Sequence, residues 1–413
     1  MISVCFYFEV HQPFRLKPYD FFRIGKDHSY FDDEKNRQVL RKVSDKCYIP
    51  TTNLLLDLIR EFKEDFQVSF SISGTAIEQF KLWYPEVLDQ FKKLADTGCV
   101  EFLSETYYHS LSSLYSEKEF ARQVLKHRKT IRKELGILPQ TFRNTELIYS
   151  NQIAHLVRKM GYTLMLMEGV DRLLGWRSPN FMYQSKSEPG LKLLTKNYRL
   201  SDDIAFRFSE KTWSDFPLSA DKFSNWVHSL AGSGTFVNLF MDFETFGEHQ
   251  WAESGVFEFL KHLPSAINKH PDFKFRTVSC AAERNHSLGE IDTDDPVSWA
   301  DMERDLSAWL GNSMQKQAVE ALYALENRVH AMGDEEILET FGKLQTSDHF
   351  YYMCTKYFND GDVHKYFSPY GSPYEAYVYF MNVLQDFKQR ITPPKIRAIQ
   401  SIEVSPSDLV PAI

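Results

Sequence analysis

Short apolar runs recur along the first 285 positions, and each is followed by a stretch with helical periodicity. The runs cover residues 3–10, 66–73, 99–104, 140–143, 163–167, 204–208 and 235–241. Amphipathic helices are predicted between them, including 52–62, 117–134 and 151–160. Gly98 and Gly161 stand where helices end, just before the next run. Strands that alternate with helices pair in parallel, because each crossover returns the chain to the same edge. About seven such strands predict a closed or nearly closed β/α barrel, an α/β fold whose chemistry gathers at the C-terminal ends of the strands. Beyond residue 285 the pattern changes. Residues 301–332 read as one long helix or two broken ones, 335–344 and 373–388 as further helices, and 396–404 as a strand. The expected division is a catalytic barrel over 1–285 and a helical domain over 286–413, joined near the loop 287–299.

The chain has 413 residues, too many for one ordinary core. Its net charge is −8 and it holds no run of Lys or Arg, so no nucleic-acid partner is expected. No apolar run approaches membrane-spanning length. The five cysteines, Cys5, Cys47, Cys99, Cys280 and Cys354, are scattered and never spaced as CxxC. That pattern speaks against a zinc ribbon and for a reducing compartment. Met1 leads straight into a strand with no basic leader, so a cytoplasmic location is expected. Aromatic residues make up 15%. Most of the Phe residues belong in a core, whereas Tyr and Trp in loops suit stacking on sugar rings.

The strand ends carry the chemistry. The first strand delivers His11 and Gln12 to the barrel mouth, and Pro13 stops its ladder there. Glu101 lies within the strand at 99–104, and Glu105, Tyr107, Tyr108 and His109 follow it. Glu146 stands between a strand and a helix. Asp242 and Glu244 share one face by alternation, and His249 and Trp251 lie in the loop beyond. A lone acid after a strand is ordinarily a helix cap. Carboxylates at three strand ends, with histidine beside two of them, are a stronger signal. With no evident Ser or Cys nucleophile, paired carboxylates suit glycoside chemistry, in which one is ionised and one protonated. That chemistry calls for no metal and no cofactor.

Five motifs occur in order: His11-Gln12-Pro13; Gly98-Cys-Val-Glu101-Phe running on to Tyr107-Tyr108-His109; Phe142-Arg143-Asn-Thr-Glu146; Asp242-Phe-Glu244-Thr-Phe-Gly247; and Ser347-Asp348-His349. In these motifs the chain resembles glycoside hydrolase family 57, a family of retaining enzymes active on α-glucans. The resemblance implies an incomplete (β/α)7 barrel of TIM-like kind followed by a helical bundle. It implies Glu146 as nucleophile and Asp242 as general acid/base. It implies that His11, Glu101, Glu244 and Asp348 hold the sugar or orient the catalytic pair. Gln12, His109, Arg143, His249, Trp251 and His349 are further substrate-binding candidates from the motifs and loops themselves. Asp348 would reach the barrel from the helical domain.

Arg143 stands where the glucanotransferase branch commonly has Trp, and FRNTEL, DLSAWLGNSMQ and SDDIAFRFS are similar to the α-amylase branch. The expected activity is hydrolysis of α-1,4-glucans or maltooligosaccharides. 4-α-Glucanotransfer on the same site and a silent glucan-binding homologue are the alternatives. A metal-dependent carbohydrate enzyme, of the deacetylase or zinc α-mannosidase kind, would need His and Asp converging on one ion. The chain lacks an HxxxH pair, and His11 is followed by Gln-Pro. Trp176 is a second stacking candidate, and Asp202 and Asp203 receive no role.

Overall fold

The computed structural model describes residues 1–356 and 363–392. Ten strands occur among them: β1 (Ile2–Val10), β2 (Val68–Ile72), β3 (Val100–Phe102), β4 (Phe142–Arg143), β5 (Leu164–Glu168), β6 (Tyr183–Ser185), β7 (Lys192–Lys196), β8 (Phe236–Asp242), β9 (Phe273–Phe275) and β10 (Glu290–Ile291). Parallel pairing runs β8–β1–β2–β3 and β4–β5–β7. A parallel bridge between Ser104 and Phe142 joins β3 to β4. Asn197 N–H donates to Asn238 O at 2.9 Å across the gap from β7 to β8. The result is a TIM-like α/β barrel of parallel strands, open at two weakly bonded seams. β6 lies antiparallel on β7 and outside this circuit.

β1 is the central strand and is buried along its whole length. Its alternation sends Val4, Phe6, Phe8 and Val10 outward into the helix-packed layer and Cys5 and Tyr7 into the barrel interior. Glu9 and His11 follow the inward parity. The helix Val278–Glu283 plugs the N-terminal end of the barrel, where Val278 N–H donates to Ser69 Oγ at 3.1 Å. The mouth is therefore at the C-terminal ends of the strands.

The run at 204–208 is not a strand. Asn197 caps a helix at Tyr198–Ala205, accepting from Leu200 N–H at 3.2 Å, and the barrel strand at this point is β7, KLLTK, whose flanking lysines hide its apolar middle. The segment 301–332 forms three helices, Ser307–Leu310, Ser313–Tyr323 and Glu326–Met332. Gly311 and Asn312 break it, and Asn312 forms a reciprocal capping box with Gln315. The expected strand at 396–404 lies outside the described residues. The helices Ser313–Tyr323, Glu335–Leu344 and Pro373–Arg390 share one apolar cluster with Phe142, Met165 and Met167 of the barrel. The helical region thus packs directly on the β4–β5 side.

Candidate active site

Glu146 follows β4 in a tight turn, with backbone φ 56° and ψ 27°. Leu147 and His109 also have positive φ, each 52°. Non-glycine residues in this region cost about 1–3 kcal/mol each and persist where their surroundings over-determine them. The surroundings here do. Asn144 Nδ2 donates to Ile148 O at 2.9 Å, and Trp299 N–H donates to Glu146 O at 3.1 Å.

The Glu146 carboxylate is held at both oxygens. His109 Nε2 donates to Oε1 at 2.8 Å, and Trp299 Nε1 donates to Oε2 at 2.6 Å. Burial works to raise its pKa, but the His109 hydrogen bond and the charges of His109 and Arg143 outweigh burial and hold it below the ordinary range.

His109 is itself anchored from behind, its Nδ1 donating to Glu105 Oε2 at 3.2 Å and lying 3.5 Å from Glu9 Oε1. Burial opposes its charge, yet Glu105, Glu146 and Glu9 push its pKa up to about 10, so it is an imidazolium at neutral pH. Arg143 lies fully buried beneath, with Nε 3.3 Å from Glu9 Oε2 and Nη1 3.9 Å from Glu105 Oε2. Tyr7 and Ser71 complete this floor by donating to Glu9 Oε2. Glu9, Glu105 and His109 each bring a ligand atom within 4.8 Å of the others, a spacing that suits a metal ion. Arg143 and the His109 imidazolium already stand against these carboxylates, so a metal cation would have to enter beside positive charge that is in place.

Asp242 ends β8 on the opposite wall. Burial, then the charges of Glu146 and Glu9, push its carboxyl up to about 7. Two carboxyl groups of one mouth thus sit on opposite sides of their ordinary values. Lys196 and Arg143 pull Asp242 the other way, though by less. Strand alternation stops at Asp242, because residues Phe243–Thr245 form a 3-10 turn. Glu244 therefore points into a buried pocket, where Tyr48 Oη donates to it and Gln12 Nε2 donates to Tyr48 at 3.1 Å. Burial and the neighbouring Asp242 raise Glu244 to about 8.

His11 stacks on His109, with ring centroids 4.0 Å apart and planes inclined by 18°. Its Nε2 donates to Asp348 Oδ2 at 2.9 Å, and its Nδ1 meets Ser73 Oγ at 2.7 Å. Burial would raise the Asp348 pKa, but His11 holds it well below the usual carboxylate range. One helical-region residue is thus brought to the barrel mouth.

Other candidates lie elsewhere. Glu101 points to the plugged end of the barrel, accepting from Thr141 Oγ1 at 2.6 Å and Ser279 N–H at 2.9 Å. His349 is buried in the helical region, where its Nε2 donates to Lys343 O at 3.1 Å and its ring packs on Phe380. His249 lies beside Phe367, and burial lowers its pKa to about 4. Trp251 is 62% exposed, with Lys46 Nζ 5.8 Å from its ring centre. Trp176 is 96% exposed.

Several site residues escaped the sequence reading. Glu9 was available from the parity of β1, which places Tyr7, Glu9 and His11 on one face. Glu168 and Lys196 end β5 and β7, and Arg304 Nη1 closes on Glu168 Oε2 at 2.8 Å. Trp299 lies between two cations, 5.1 Å from Arg143 and 5.3 Å from Lys196. No local pattern connects position 299 to position 146.

Comparison with known proteins gives the family and the fold. The model of glycosyl hydrolase family 57 matches residues 5–294. A Methanocaldococcus jannaschii protein described as "Putative alpha-amylase" is 44% identical over 401 residues, which are 94% of this chain and 84% of that protein. The fold is similar to that of the 4-alpha-glucanotransferase from Thermococcus litoralis, with TM-score 0.67 and 16% identity over 95% of this chain. This chain spans 60% of the length of that enzyme. The GH57-type branching enzyme from Pyrococcus horikoshii also gives TM-score 0.67 at 16% identity, covering 95% of this chain and 92% of its own.

Proposed function

The chain belongs to glycosyl hydrolase family 57, and from that premise we propose that it is a retaining, α-amylase-type hydrolase of α-1,4-glucans. The observation that carries this reading is the split between Glu146 and Asp242. The first is held ionised by His109 and Trp299, and the second is raised to about 7 by burial and by Glu146 itself.

In the first step Glu146 Oε attacks the anomeric carbon of a glucosyl unit. Asp242 donates its proton to the departing glycosidic oxygen, and a β-glucosyl ester of Glu146 forms. Once Glu146 is esterified its charge is gone, so the largest charge-based cause raising Asp242 disappears and Asp242 becomes a proper base. It then takes a proton from water as the water oxygen attacks the anomeric carbon, the ester bond to Glu146 breaks to restore the carboxylate, and the sugar leaves with its α configuration retained. His109 balances the charge of Glu146 before attack and after release. His11, stacked on His109 and tied to Asp348, is suited to hold a sugar hydroxyl. The region 286–413 would complete the site through Asp348 and Trp299. Arg143 serves as the charged floor beneath the nucleophile, and Glu101 as a structural acceptor at the far end.

The test is incubation of the protein and of its Glu146→Gln variant with maltoheptaose, with products separated by size. Shorter sugars alone, absent with the variant, support hydrolysis with Glu146 as nucleophile. Products both longer and shorter than the substrate would replace hydrolysis with glucanotransfer. Binding without any product would overturn the catalytic reading.

A further inference from the structure

The helix Tyr198–Ala205 carries two adjacent acids in different directions. Asp202 pairs with Lys196 at 3.1 Å and Arg304 at 3.4 Å, on the side of the barrel mouth. Asp203 instead faces an open surface groove of about 550 Å3, lined also by Leu200, Arg207, Trp213, Asp215 and Trp226. That volume falls within the roughly 300–1,000 Å3 typical of small-ligand clefts.

Trp213 and Trp226 are half-buried, with ring centroids 6.1 Å apart and planes at 72°. Both pack against the outer core of the barrel. Each acid of the groove is matched by a base. Arg207 Nη2 lies 2.7 Å from Asp203 Oδ1, and Lys222 Nζ lies 3.0 Å from Asp215 Oδ1. The same two bases lean over the indoles, Arg207 5.7 Å from Trp213 and Lys222 5.5 Å from Trp226. The groove is therefore aromatic and charge-balanced, yet edged with hydrogen-bonding groups. A charged ligand gains little from balanced pairs. A neutral ring with an apolar face and a rim of hydroxyls gains from both the indoles and the pairs. A pyranose is such a ring.

We propose that this groove is a second α-glucan-binding site, separate from the one around Glu146, which holds one stretch of a polymeric glucan while the barrel mouth works on another. The identity of the ligand rests on the glucan reading above; the existence of the site does not require turnover. Tethering raises the local concentration of further chain only for substrates long enough to reach both sites.

The test is native electrophoresis through gels containing glycogen, in the Glu146→Gln background, for the parent and for Trp226→Ala and Asp215→Ala. The same two substitutions in the active protein are assayed on maltotriose or maltoheptaose. The proposal expects the parent to be retarded by glycogen. It expects both substitutions to weaken that retardation, Trp226→Ala by about tenfold or more in apparent affinity, with cleavage of short sugars unchanged. Equal retardation of all three proteins overturns it, as does a parent that glycogen does not retard. Loss confined to Trp226→Ala, with Asp215→Ala retarded like the parent, also overturns it, because the proposal needs both groups. Retardation that depends on both residues, in a protein that cleaves no glucan, would leave the groove standing and remove the hydrolase reading.

Discussion

Trp299 grips Glu146 twice: its indole Nε1 donates to the carboxylate at 2.6 Å, and its backbone N–H donates to the carbonyl oxygen at 3.1 Å. The second contact helps hold a backbone that is otherwise disfavoured, and the first stabilises the carboxylate charge that the proposed mechanism requires. The two contacts can be separated, because a side-chain substitution leaves the backbone contact in place.

Trp299→Phe keeps that backbone contact and most of the apolar volume but removes the indole donor. A hydrogen bond to a charged group contributes about 1.5–3 kcal/mol, so kcat/KM is expected to fall about 10- to 100-fold. With one donor gone the Glu146 carboxyl rises, and the acid limb of the pH profile moves upward. An unchanged acid limb in the kcat/KM profile of the variant would refute this role for the indole.

The pH dependence of the parent follows from the same split. The proposed mechanism requires Glu146 ionised and Asp242 protonated, so kcat/KM is expected to be bell-shaped. The acid limb falls below the ordinary carboxylate range, because Glu146 is depressed, and the basic limb falls at about 7, because Asp242 is raised to that value. Glu146→Gln removes the charge that elevates Asp242, so Asp242 should titrate lower in that variant. Carboxyl-carbon NMR of Asp242 in the two proteins reads this directly, and equal titration midpoints would contradict the coupling.

Strand parity makes part of this constellation legible in the amino-acid sequence. The period of two carried His11 to the end of β1 and Asp242 to the end of β8. It would have carried Glu9 into the site as well, because Tyr7, Glu9 and His11 share a face. Parity fails where the strand ends. Glu244 lies in a 3-10 turn, so its orientation is set by Tyr48 and not by alternation. β7 was concealed because lysines flank its apolar middle, and Lys196 proves to be part of the mouth. Trp299 is joined to Glu146 only by the folded chain, across 153 positions, so no periodicity reports it.

The buried histidines should separate by titration. His109 is raised to about 10, whereas burial lowers His249 and His349 to about 4. Between pH 6 and pH 8 none of the three should change charge, His109 staying charged and the others neutral. Ring-proton NMR, assigned with His109→Gln, checks this. Because the folded pKa of His109 is raised, its contribution to stability is complete below about 6.5 and is lost as pH climbs toward 10. The parent should therefore lose stability relative to His109→Gln across that window.

The His11–Asp348 pair has the opposite sign. The folded pKa of Asp348 is depressed, so its contribution is present above the ordinary Asp value and is lost as pH falls toward the lower, folded value. Asp348→Asn should cost about 1.5–3 kcal/mol near neutrality, the range for a hydrogen bond to a charged group. The gap between parent and variant in urea unfolding should close as pH drops below about 4. A gap that is independent of pH would mean that packing, not the ion pair, joins the helical region to His11.

Arg143 supplies the sharpest stability test, because it is the buried cation beneath two buried carboxylates. Removing one partner of a buried ion pair costs about 3–5 kcal/mol, since the remaining charge is left uncompensated. Arg143→Met should therefore destabilise by about that much, leaving Glu9 and Glu105 to share His109 alone. The carboxylate pair would be forced to take up a proton, so the variant should unfold less readily at pH 5 than at pH 8, the reverse of a protein losing only packing. Adding Glu9→Gln removes one of the stranded charges. The double variant should regain part of the lost stability, and His109, with one fewer acid beside it, should titrate below its parent value. If Glu9→Gln instead worsens Arg143→Met, the floor of the site is held by the shape of these side chains and not by their charge. The measurement is a double-mutant cycle in urea at the two pH values, and a coupling energy near zero would decide against the ion-pair account.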